Sequence, residues 1–131
     1  MLKDRKLILS TLWIFVTLNY IYCDILGFMD PDMLAQYITG TVNGLELDEN
    51  FLFAGAFLME IPIAMVLLSR ILNYRANRWT NIIAGCIKTI VMILTMFVGT
   101  PTAYYLFFGI IEIATTSFIV GYAWKWTNSE A

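Results

Sequence analysis

Histidine is absent from this chain, and cysteine occurs only twice, at Cys23 and Cys86. Without histidine the commonest general base and metal ligand is gone, and with it any His-held haem. The two cysteines lie far apart and form no CxxC, so a zinc site or a thioredoxin-like pair has no support. Each sits in an apolar run, where a free thiol behaves as a small buried hydrophobe. Charge is scarce as well: 14% of residues carry one, against about 25% in soluble domains. The net charge of −2 is too small and of the wrong sign for a nucleic-acid footprint. No metal, cofactor or nucleic acid is expected.

What is present is apolar surface. Hydrophobic residues make up 60% of the 131, and mean hydropathy is +0.73. Disorder needs the opposite composition, and one soluble core of this size could not hide so much apolar area from water. The expectation is a single-domain integral membrane protein. A spanning helix needs about 20 apolar residues, and four segments qualify, at 7–29, 51–72, 79–99 and 103–124. The first follows Lys3, Arg5 and Lys6 like a signal peptide. It is too long for one, lacks a small-x-small cleavage site and passes through Asn19 and Asp24, so it reads as a retained helix.

Lysine and arginine lie on one side of these spans. Lys3, Arg5 and Lys6 precede the first, Arg70, Arg75 and Arg78 flank the second connection, and Lys125 follows the fourth. The opposite side carries Asp30, Asp32, Glu46, Asp48 and Glu49 and the short Gly99-Thr100-Pro101-Thr102 turn. The positive-inside rule then places both termini in the cytoplasm. Short second and third connections give an up-down four-helix bundle. The first connection opens with helix signals: Asp30 as cap, Pro31 in the first turn, Gly40 as the stop. This short helix is expected to rest at the outer interface or to lid an opening there. Asn43-Gly44 marks a turn, and Asp48 to Asn50 caps the second span. Trp79, Trp124, Trp126, Tyr104 and Tyr105 fall where interfacial aromatics belong.

Ionisable groups inside a span are costly and face an interior, a partner or water. Counting at about 1.5 Å per residue puts Asn19, Glu60, Lys88 and Glu112 at similar depth, one per helix. On the fourth span Tyr105, Phe108, Gly109, Glu112, Thr115 and Thr116 share a face. On the third, Asn81, Ala84, Gly85, Lys88, Met92 and Thr95 do so, and on the second Phe53, Ala56, Glu60 and Ala64. Asp24, with Tyr20, Tyr22 and Tyr105, is expected to line an outer vestibule. Lys88 cannot neutralise both acids, so one Glu is expected to pair with it while the other is protonated or hydrated. Pro62 removes a backbone donor in mid-helix and crowds the Leu58 carbonyl.

The segments 19–27, 59–70 and 104–113, with Asn19-Tyr-Ile-Tyr-Cys-Asp24, Met59-Glu-Ile-Pro62 and Tyr104-Tyr-Leu-Phe-Phe-Gly109 at their starts, resemble small bacterial four-span membrane proteins of unknown function. That group is loosely similar to the DoxX-like proteins. The resemblance implies a bacterial inner-membrane bundle and transfers no catalytic residue. Function is therefore read from the polar groups alone. Surplus negative charge at the midplane and an acidic outer loop point to binding or proton-coupled transport of a small amphipathic or cationic solute. Transport by so few helices would call for a homodimer, with Ser117 and Gly121 as one contact face. The alternatives are acid–base isomerisation of a lipid-like substrate by two carboxyls, or an accessory subunit whose polar knot only fixes helix register.

Overall fold

The computed structural model describes residues 4–98 and 101–127. Lys3 and the Gly99-Thr100 half of the outer turn lie outside the described residues. Each long helix starts at a side-chain cap that satisfies otherwise unpaired amides. Asp4 accepts from the Lys6 and Leu7 amides at 3.0 and 3.4 Å to open α1, Arg5–Met29. Asp48 accepts from Phe51 at 2.8 Å to open α3, Glu49–Ile71. Asn73 accepts from Ala76 at 3.0 Å to open α4, Tyr74–Thr95. Thr102 accepts from Tyr105 at 3.3 Å to open α5, Ala103–Trp124.

Between α1 and α3 lies α2, Pro31–Thr39, capped by Asp30 and ended by Gly40 at φ 81°, all as its sequence signals require. A minimal hairpin follows, β1 Thr41–Val42 against β2 Leu45–Glu46, which the sequence reading did not anticipate. Its turn is the expected Asn43-Gly44, at φ 50° and 84°, the left-handed pair that a two-residue hairpin needs. The Gln36 side-chain carbonyl accepts from the Asn43 amide at 2.9 Å and ties the hairpin to α2.

Among the described residues three helices, α1, α3 and α5, are long and apolar enough to cross a membrane, and the span expected at 79–99 is not one of them. The 22-residue α4 is as long as α5 but carries Arg75, Asn77, Arg78, Asn81 and Lys88. It starts five residues before the position expected from hydropathy, because that signal averages over all faces of the helix. Asn77, Asn81 and Lys88 are buried, whereas Ile83, Ile87, Ile90 and Leu94 are exposed.

In space α1 packs against α3 and α5, and α4 packs against α5 and α3. One end is basic. There Arg5 donates to the Tyr122 carbonyl at 2.8 Å, Arg70 to Ser10 Oγ at 3.1 Å and Arg78 to the Trp124 carbonyl at 2.9 Å. At the other end the Tyr104 hydroxyl donates to Asp30 at 3.1 Å and the Tyr105 hydroxyl meets Thr95 Oγ1 at 2.9 Å. Successive long helices therefore run in opposite directions. Phe15, Phe53, Phe57, Phe107 and Ile110 point outward while Asn77, Asn81, Lys88 and Glu112 point inward, the reverse of a water-soluble surface. Trp79 and Trp124 sit on the outside at the basic end, edge to face at 6.4 Å. Trp126, expected beside them, is buried against Tyr74 instead, at 5.3 Å.

Candidate functional site

Two buried polar groups occupy the interior, and they differ in how well they are satisfied. Near the basic end, Trp13 Nε1 donates to Asn81 Oδ1 at 2.7 Å and Ser69 Oγ lies 3.3 Å from the same oxygen. The Asn81 amide donates to the Asn77 carbonyl at 2.9 Å, and the Asn77 amide donates to the Ser69 carbonyl at 2.7 Å. This network joins α1, α3 and α4 and uses its donors and acceptors fully, the mark of a structural tie. Sequence reading noticed Asn81 on the inward face of its helix but assigned nothing to it, and it missed Asn77, Ser69 and Trp13. The signal was there, in two asparagines spaced i, i+4 on the stripe that carries Lys88.

The second group, around Lys88, is not satisfied in this way. Lys88 Nζ lies 3.5 Å from the Leu58 carbonyl and 4.4 Å from the centre of the Tyr20 ring. The Leu58 carbonyl is the one whose helical partner would be the amide of residue 62, and Pro62 has none. The ammonium therefore fills a vacancy that proline created on the neighbouring helix. Glu112 is 1% exposed and its Oε2 has no hydrogen-bond partner. The Tyr20 hydroxyl and Thr17 Oγ1, both on α1, are also buried without partners; the other such atoms are Arg78 Nε and Trp126 Nε1, from the basic end. A buried carboxyl oxygen left without a partner is costly unless something else fills the space.

Of the residues singled out in the sequence, Lys88 and Tyr20 come together, while Glu112 lies within electrostatic range of both and forms no ion pair with Lys88, contrary to the expected Glu–Lys pairing. Asp24 is exposed on α1 yet remains within electrostatic range of both Lys88 and Glu112. Glu60 does not join them. The buried residues of α3 are Pro62, Met65 and Ser69, and at 3.6 residues per turn Glu60 lies about 160° from Pro62 and about 180° from Ser69. Its side chain is exposed on the outer face, so the expected choice between two acids for Lys88 does not arise. Asn19 bonds its own helix, donating to the Phe15 carbonyl at 2.9 Å, and Tyr22 points outward.

Packing between α4 and α5 holds Glu112 in place. Thr116 Oγ1 lies 3.0 Å from the Glu112 carbonyl and 2.7 Å from Thr89 Oγ1 of α4. A Cβ at Gly85 would come 2.6 Å from Val120 Cγ2, and one at Gly109 would strike the Met96 methyl. Both glycines face the other helix closely.

Above this cluster, at the acidic end, lies a cavity of about 270 Å³. Met33 and Tyr37 of α2, Val42 and Leu45 of the hairpin, and Phe51 of α3 form its cover and one wall. Thr95, Val98, Tyr104 and Tyr105 form the rest. The α2–hairpin segment thus flanks this opening. Tyr37 stacks obliquely on Phe28 with ring centres 5.3 Å apart. Burial, then the nearby Asp24 carboxylate, raises the Tyr37 phenol above its ordinary value, so its hydroxyl stays a neutral donor at physiological pH. Tyr105 belongs to the cavity wall and also feels Glu112, two turns below it on the same face. The cavity and the buried acid are successive stations along α5.

Residues 2–131 match a family of unknown function (DUF6326), and the chain belongs to that family. The match carries no link to the DoxX-like proteins. No curated protein and no solved structure matches the chain.

Proposed function

We propose that this DUF6326 chain is a four-span protein of the bacterial inner membrane, both termini cytoplasmic, that binds a small amphipathic cation and moves it in exchange for protons. The observation that carries the reading is the Glu112 carboxyl group, buried in mid-helix with an oxygen that nothing among the described residues satisfies. A purely structural acid would be bonded, as the asparagine network is.

Three further features support the reading. The outer face of α4 is as apolar as those of its neighbours, which suits a fourth span despite its inward polar residues. The basic and acidic ends match the charge asymmetry of a protein inserted with its basic end in the cytoplasm. The cavity is walled by Tyr37, Phe51, Tyr104 and Tyr105, and aromatic faces attract quaternary and amine cations. A cation held there could descend along α5 to Glu112, where it competes with a proton for the same carboxylate.

The test uses hexyltrimethylammonium, a permanently charged probe with an apolar tail, titrated calorimetrically into purified protein in lipid nanodiscs. Binding is expected, and it weakens as pH falls because protons compete. Glu112→Gln is expected to abolish the pH dependence and most of the affinity. Absence of binding by the unaltered protein, or undiminished binding by the Gln variant, overturns the proposal.

A further inference from the structure

The exposed carboxyl of Glu60 has no role in the site just described. It lies at the middle of α3, the long helix with the fewest buried residues. Phe53, Phe57, Glu60, Ala64, Leu67 and Ile71 recur at spacings of four and three, the seam of a left-handed helix pair. Phe53, Phe57, Leu67 and Ile71 are 72%, 67%, 60% and 63% exposed and Ala64 is half-buried, so the described residues leave most of this seam uncovered. A seam of apolar side chains alone would be at home in lipid. A carboxyl group in its centre is not, because hydrocarbon offers it no hydrogen bond.

We propose that a second copy of this chain docks along the α3 seam, with the two Glu60 carboxyl groups meeting across a two-fold axis. The inference rests on the membrane insertion proposed above and not on the solute site. A second copy is the occupant that fits because a carboxyl group can both donate and accept a hydrogen bond, so two of them facing one another are self-complementary. The Lys and Arg residues are confined to one end apart from the buried Lys88, so two copies insert the same way round. The two α3 helices then run parallel, and each seam residue meets its own counterpart. Ala64, one turn from Glu60, is small enough to let the backbones approach. The other candidate face, Ser117 and Gly121 on α5, contains no ionisable group that requires a partner.

The experiment is oxidative cross-linking in native membranes, in a Cys23→Ala, Cys86→Ala background. Ala64→Cys is expected to give a disulfide-linked dimer, and Ser117→Cys is not. Adding Glu60→Gln, whose amide still donates and accepts, should retain the Ala64→Cys product, whereas Glu60→Leu should weaken association roughly three- to twentyfold. Glu112→Gln should leave cross-linking unchanged, which separates this interface from the solute site. An alkaline carbonate wash of the same membranes reports on insertion. Protein retained in the membrane but cross-linking only through Ser117→Cys, or through neither position, overturns the α3 interface alone. Release by the wash overturns the membrane reading together with it.

Discussion

Lys88, Leu58 and Pro62 show how one unusual residue sets the role of another on a different helix. Proline leaves the Leu58 carbonyl without its helical donor, and the Lys88 ammonium approaches it at 3.5 Å. Lys88→Met should therefore cost more stability in the native background than beside Pro62→Ala, where the restored amide takes over the carbonyl. A double-mutant cycle followed by denaturant unfolding in detergent should give a coupling of about 0.5–3 kcal/mol; additive effects would contradict the contact. At the satisfied network, Asn81→Ala strands Trp13 Nε1 and Ser69 Oγ in the interior and should cost about 1–3 kcal/mol in the same assay. Lys88 and Glu112 were legible in the sequence as inward residues. The rotation of α3 was not, because Phe53, Ala56, Glu60 and Ala64 are as consistent a stripe as Pro62, Met65 and Ser69. Only packing decides which of them turns inward.

Among the elements, capping chemistry was the most readable feature. Asp30, Pro31, Gly40, Asn43-Gly44 and Asp48 each stand where their backbone preferences place them. The hairpin escaped notice because strands of two residues carry no periodicity. Gly44 sits at φ 84°, a conformation that a β-branched residue adopts only under strain. Gly44→Val should loosen the hairpin and speed amide exchange across residues 41–46, while exchange in α5 stays slow. The α4–α5 contact is a second test. A side chain at Gly85 meets Val120 and the Thr116 carbonyl, so Gly85→Leu should destabilise by about 1–3 kcal/mol. Because Gly85 packs against the helix that carries Glu112, the same change should also weaken hexyltrimethylammonium binding without touching the cavity.

Across the whole molecule, large apolar side chains cover much of the outside while Asn77, Asn81, Lys88 and Glu112 are buried, and these buried groups divide by satisfaction. The asparagine network at the basic end is closed on itself; Glu112, Tyr20 and Thr17 retain unpartnered atoms below a cavity lined in part by α2 and the hairpin. The apolar runs made the three helices long enough to cross a membrane legible in the sequence. The hydrogen-bond state of each buried group was not readable, since it depends on which neighbours reach it. The central claim is that Glu112 is an exchangeable site and not a sealed one. Infrared difference spectroscopy of the protein in lipid vesicles, recorded on adding hexyltrimethylammonium, tests it most directly. The predicted result is a change in the carboxyl stretching region that disappears in Glu112→Gln. A spectrum with no carboxyl change, or one that survives that substitution, would contradict it.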